Sequence, residues 1–146
     1  MTDFLSALRA YLLGQQPVTD LLNADVNAGP TQGVYVLAMP AEEIDGKTAH
    51  KIVVLLASGG PLGKMRHTTT EARVDIVCYG ETDFEAAKLD RAVSEAVKNL
   101  QRQFISNVLL HNATVASGPI QARDPELFWP AVRRQIILRA DEREVG

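Results

Sequence analysis

The stretch from about Thr68 to Gln103 constrains the fold more than any other part of the chain. It opens TTTEARVDIVCYG, with Thr70, Ala72, Val74, Ile76 and Cys78 in one phase and Glu71, Arg73 and Asp75 in the other. Successive side chains of a strand point to opposite faces, so this period of two predicts a half-buried strand. Gly80 ends it. Thr82-Asp83-Phe84-Glu85 then forms a capping box, in which the Thr82 hydroxyl accepts from the Glu85 amide while the Glu85 carboxylate reaches back. Beyond it Ala86, Leu89, Val93, Ala96 or Val97, Leu100 and Phe104 form one stripe, with Lys88, Arg91, Glu95 and Lys98 elsewhere. That pattern predicts an amphipathic helix lying on a sheet.

The rest of the chain supplies partners for this unit. Thr2-Asp3 starts a short helix with Phe4, Leu5, Leu8, Tyr11 and Leu12 on one stripe and Gly14 as its stop. Pro17 to Leu22 reads as a further helical turn or two, with Pro17 at the first helical position. Asn23 to Gly33 is a polar loop, and Gly33 to Ala38 a strand closed by Pro40. Glu42 to His50 is an acidic turn in which Asp45-Gly46 is a favourable hairpin dipeptide. Lys51 to Ala57 is apolar at almost every position, as expected of a strand buried on both faces. Ser58 to His67, with the flexible loop itself at about 59–68, reads as a long hairpin loop between antiparallel partners.

After the long helix, Asn107 to Arg123 is a strand of mixed pattern interrupted by Gly118-Pro119. Asp124 to Pro130 is a loop, Ala131 to Ala140 the last strand, and residues 141–146 a charged, frayed tail. In the last strand Val132, Ile136 and Leu138 oppose Arg133, Gln135 and Arg139. Strands joined by hairpins with helices segregated predict an α+β fold. The expected architecture is a mostly antiparallel sheet of about five strands, packed by one long helix and a short N-terminal helix.

Composition narrows the function. A chain of 146 residues is expected to form one domain with a core of its own. Its formal net charge of −3 gives no support to nucleic-acid binding as the main task. The lone cysteine, Cys78, lies in the apolar phase of a strand and reads as a core thiol, in keeping with a reducing cytoplasm. No basic region precedes a long apolar run, so no secretory signal is expected, and no stretch approaches the roughly 20 apolar residues of a membrane span.

Catalytic motifs are not evident. The glycine-rich loop fails as a phosphate-binding loop: Ser58 stands where GxxxxGK[ST] needs its first glycine, and Met65 where it needs Ser or Thr. It also joins two strands instead of opening a helix, so no helix N-terminus faces an anion. His50, His67 and His111 are isolated from one another and from cysteine, outside any metal-ligand spacing. The serines Ser58, Ser94, Ser106 and Ser117 lack a nucleophile-elbow context. No catalytic, cofactor or metal residue is expected.

Two features suggest contact surfaces instead. Phe128 and Trp129 lie in a loop between Pro125 and Pro130, and aromatic residues are enriched at protein contacts; capping the end of the core is the competing reading. The basic residues Lys64, Arg66, Arg73, Arg133, Arg134 and Arg139 form the second. Arg73, Arg133 and Arg139 share one sheet face if the last strand pairs beside the organising strand.

The succession of a short helix, Val34-Tyr35-Val36, an apolar strand, ARVDIVCYGETDFEAAKLDRAV and Arg133-Arg134-Gln135-Ile136-Ile137-Leu138 resembles the tail terminator (tail completion, head-to-tail joining) proteins of long-tailed bacteriophages and related gene-transfer particles. The likeness runs from about residue 5 to 140. It implies a non-enzymatic homo-oligomer, typically a hexameric ring, that caps the tail tube, stops its polymerisation and presents a surface to the head connector. Its partners would be tail-tube and neck proteins, with DNA passing through the lumen unbound, no membrane, and a place in the virion after assembly in the host cytoplasm. On that reading Gly59, Gly60, Leu62, Lys64, Met65, Arg66, Phe128 and Trp129 are the expected tube or neighbour contacts. Arg73, Arg133 and Arg139 are the expected ring-lining or intersubunit residues. The alternatives are another neck or head-completion protein or, from a different class, a small cytoplasmic ligand-binding domain or enzyme.

Overall fold

In the computed structural model the described residues are 3–22, 34–36, 52–64, 69–105, 108–123 and 129–142. Among the described residues three helices precede or interrupt six strands: α1 (Asp3–Leu13), α2 (Gln16–Thr19), β1 (Val34–Val36), β2 (Val53–Lys64), β3 (Thr69–Tyr79), α3 (Asp83–Lys98), β4 (Gln103–Ile105), β5 (Val108–Arg123) and β6 (Pro130–Glu142). One sheet runs in the order β1-β2-β3-β6-β5-β4, with β1 parallel to β2 and every other neighbouring pair antiparallel. Helices and sheet are thus segregated, but the strands number six, not about five. The extra one is β4, whose Phe104 the helical stripe had absorbed.

The organising unit forms as its pattern requires. Ala72, Val74, Ile76 and Cys78 are buried on the helix side of β3. The Thr82 hydroxyl accepts from the Glu85 amide at 3.2 Å, which starts α3. Ala86, Leu89, Val93, Ala96 and Val97 are buried along it. Gly80 is needed at the turn because a Cβ there would lie 2.5 Å from the backbone nitrogen of Ala86. The helix ends at Lys98, so Phe104 leaves the stripe; it sits on β4 and is 58% exposed.

The main core lies between the helices and one sheet face. Leu5, Leu8 and Leu12 of α1 join Leu89, Val93 and Val97 of α3, Val53 and Leu55 of β2, and Ile136 and Leu138 of β6. Two polar anchors hold α1 in place: the Tyr11 hydroxyl donates to the Ala96 carbonyl at 2.7 Å, and Arg9 Nε donates to the Val34 carbonyl at 2.6 Å. A second, smaller cluster lies on the opposite face, where Ile52, Val54, Val77, Tyr79, Trp129 and Ala131 pack together with Tyr35 and Leu56 at the margin. Residues 52–55 therefore feed both faces, which is why that run is apolar without alternation.

Several sequence expectations are corrected. Residues 58–64 are not loop: β2 continues to Lys64, with register shifts against β3 between Ala57 and Pro61 and between Pro61 and Gly63. Bulges accommodate glycine and proline within a strand once a partner ladder is present, and local composition does not reveal that partner. β1 and β2 are parallel neighbours, so a tight hairpin does not join those two strands; the Asp45-Gly46 dipeptide itself lies outside the described residues. Asp141 and Glu142 belong to β6 and pair with Leu109 and Val108, so the frayed tail does not begin at 141. The expected loop over 23–33, the acidic turn at Glu42 to Lys47, the residues Met65, Arg66 and Phe128, and the tail 143–146 lie outside the described residues.

Candidate interaction surface

The sheet face opposite α1 and α3 collects most of the described charged candidates. On β3 it presents Glu71, Arg73, Asp75 and Val77; the opposing residues of β6 are Arg139, Ile137, Gln135 and Arg133. Arg73, Arg133 and Arg139 therefore do share one face, as the pairing of the last strand with the organising strand required. Arg133 Nε and Nη2 lie 3.1 and 3.0 Å from Asp75 Oδ2, and Gln135 Nε2 donates to Asp75 Oδ1 at 3.3 Å. Arg139 Nε stands 3.5 Å from Glu71 Oε2, an ion-pair distance too long for a good hydrogen bond. Arg73 is exposed opposite Ile137, between the two carboxylates of its own strand. Asp141 closes the row, with Oδ2 3.1 Å from His111 Nε2. Among the described residues of this face three acids and three arginines thus alternate, a balance of fixed charge.

The aromatic candidate behaves differently. Trp129 is only 6% exposed and meets Tyr79 edge-on, with ring centroids 6.1 Å apart. It covers the second apolar cluster and is not a free contact. Lining a loop with an aromatic has two outcomes, docking or capping, and here capping wins. Gly59, Gly60, Leu62 and Lys64 lie on β2, not on a flexible loop, at the far end of the sheet from Trp129.

One ionic constellation escaped the reading of the surface. Arg134 faces the helices, where Nε and Nη2 bind Asp90 Oδ1 and Oδ2 at 3.1 and 2.7 Å in a bidentate pair, with side chains 13% and 5% exposed. The hydrogen bonds to Asp90 raise the Arg134 pKa, while burial opposes that rise. Cys78 lies within the same field: burial first, and then the Asp90 charge, push its thiol well up. Both partners carried a signal. Arg134 falls in the apolar phase of Val132, Ile136 and Leu138, and Asp90 adjoins Leu89 on the buried stripe of α3.

Beside this pair is an open cavity of about 320 Å³ lined by Asp90, Ser94, Gln121 and Arg134, among others. A larger groove of about 580 Å³ runs between α2 and α3 over Pro17, Leu21 and Ala92, with Lys88, Arg91 and Glu95 at its rim. Among the described residues no group of three or more His, Cys, Asp or Glu side chains is placed to hold a metal ion. Among them, too, no helix is long and apolar enough to cross a membrane.

No protein-family model matches the sequence, and no curated protein matches it. Among solved structures the chain is similar to one from the virion of a native gene transfer agent particle, with a TM-score of 0.60 and 17% identity. The likeness covers 97% of this chain and 99% of that one, so the two share a fold over nearly their whole lengths.

Proposed function

We propose that this chain is a non-enzymatic virion protein, the subunit of a ring that caps and terminates the tail tube of a phage-like particle and offers a surface to the head connector. The observation that carries the reading is the near-complete overlap with a gene-transfer-agent virion chain, with only 1–3% of either chain left over. It agrees with the tail-terminator resemblance of the strand–turn–helix block, which rests on residue pattern and not on the fold.

The site geometry suits the role. A sheet face with alternating, mutually paired charges can line a passage for DNA without gripping it, because the phosphates meet as many carboxylates as guanidinium groups. The chain is then one domain of a closed homo-oligomer, with tail-tube and neck proteins above and below. Light scattering on the purified protein, with negative-stain images of the same fraction, tests this. The expected species is a ring of mass near six times 15.9 kDa, formed alone or on adding tail-tube protein. A monomer that ignores tube protein overturns the reading.

A further inference from the structure

Among the described residues the buried polar side chains are Asp90 and Ser94, 3% and 4% exposed, and both line the cavity of about 320 Å³ beside Arg134. Burying a polar group costs free energy unless a hydrogen bond compensates it. Asp90 is compensated, since its two oxygens accept from Arg134 Nε and Nη2. Ser94 is not: among the described residues its hydroxyl has no hydrogen-bond partner. It lies one turn beyond Asp90 on α3, so both side chains reach the same side of the helix. A buried hydroxyl without a partner, in the wall of an open cavity, is placed for a group that enters from outside.

The other polar groups of the cavity define the chemistry of that group. The side-on pair with Asp90 leaves Arg134 both N–H groups of Nη1 and one of Nη2. Arg91, Ser94 and Lys98 stand at i, i+3 and i+7 on α3, a single stripe of donors along the cavity, and Gln121 of β5 lines it from the sheet. The described charges around it are Arg91, Lys98 and Arg134 against Asp90 and Glu95, an excess of one positive charge. Arg134 neutralises Asp90, and Glu95 stands 3.9 Å from Lys98 with both of those side chains more than half exposed. Arg91 is exposed and has no ion-pair partner among the described residues. Uncommitted donors thus outnumber acceptors, and one negative charge balances the site. A carboxylate meets both conditions, because it carries a single charge and its two oxygens match the donor fork of a guanidinium. The volume lies at the small end of ligand pockets and suits a small acid or one side chain, not a large cofactor.

We infer that this cavity is a binding site for a carboxylate, received by the Arg134 guanidinium and the Ser94 hydroxyl and balanced in charge by Arg91. The carboxylate has two sources, a free small acid or an acidic side chain of a neighbouring chain in the particle. The site itself stands whether or not the chain forms a ring; only the second source rests on the ring reading above. Potassium acetate is titrated into the monomer fraction of the full chain, with potassium chloride at equal ionic strength as its counterpart. Proton–nitrogen correlation spectra follow the Arg134 Nε–H and the Ser94 amide. Acetate should shift both saturably, in the millimolar range that so small a ligand reaches, and chloride should not. Ser94→Ala should weaken acetate roughly two- to tenfold with the fold intact. The paired replacement Asp90→Leu/Arg134→Met, which leaves no unpaired charge in the core, should abolish binding.

The same titration on the ring fraction, followed by light scattering and calorimetry, separates the sources. A carboxylate supplied by a neighbouring chain is displaced, so acetate lowers the mass of the ring. A free acid leaves the mass unchanged while acetate binds. Acetate and chloride acting alike, an adventitious ion only, overturns the site, as does a response that both variants retain. A ring that neither binds acetate nor loses mass overturns it as well. Where no ring forms, the ring reading fails and the monomer titration alone decides the site.

Discussion

Replacing Asp90 by alanine leaves the Arg134 guanidinium facing the core side of the sheet without its bidentate partner. Asp90 Oδ1 and Oδ2 take both close hydrogen bonds, at 3.1 and 2.7 Å, and the carboxylate is 5% exposed. Removing one member of a buried ion pair costs about 3–5 kcal/mol, mostly the penalty of an uncompensated charge. Two features place this site at the lower end. Arg134 keeps 13% of its side chain exposed, and the adjoining cavity of about 320 Å³ admits water to the freed guanidinium. We therefore expect Asp90→Ala to lose about 3 kcal/mol. For a chain of this size that lowers the melting temperature by roughly 6–12 °C. Urea unfolding followed by tryptophan fluorescence measures it, since the single tryptophan is buried in the native state. The double replacement Asp90→Leu/Arg134→Met removes both charges and should recover most of the loss. A single replacement costing under about 1 kcal/mol, or a double one costing more than the single, would refute the argument that desolvated charge governs this site.

Trp129→Ala should cost about 3–5 kcal/mol, because it opens the second cluster above Tyr79 and Val77; thermal melting checks it, and a near-neutral result would mean that Trp129 is a contact residue after all. Gly80→Ala drives a Cβ to 2.5 Å from the Ala86 backbone nitrogen, so it should destabilise by at least about 2 kcal/mol, against about 1 kcal/mol for loss of the cap in Thr82→Ala. The two midpoints in urea should stand in that order. Cys78 tests the field around Asp90 through pH. Its thiol pKa is raised in the fold, so the folded state holds the proton more tightly than the unfolded chain. The resulting stability is fully present below the unfolded thiol value of about 8.5, and is lost as pH rises from there toward the folded value. Unfolding free energy should fall above about pH 8.5, and Cys78→Ala should flatten that slope.

Short-range pattern carried a good deal of this protein. The phase of Ala72, Val74, Ile76 and Cys78, the Thr82 cap and the stripe from Ala86 to Val97 each depend on residues within a few positions of one another, and all are where the pattern places them. The phase rule even foretold that Arg73, Arg133 and Arg139 would share a face, given the pairing of β3 with β6. The glycine-rich run after Ala57 misled because glycine and proline weaken a strand only when nothing holds it, and β3 holds this one as far as Lys64. Phe104 misled in the opposite way: its spacing fits the helix, but the chain turns after Lys98 and leaves it on an edge strand.

What the sequence determined by itself, then, was periodicity: which segments are strand or helix, which side of each is apolar, and that no familiar catalytic spacing is present. Only the tertiary structure decided that β1 runs parallel to β2, that Trp129 caps a second core instead of reaching outward, and that Arg134 finds Asp90 across 44 positions of chain. The physical reason is range. Backbone preference and side-chain phase act between neighbours in sequence, whereas the direction of a strand and the burial of a charge depend on partners that the chain meets only after it has closed upon itself.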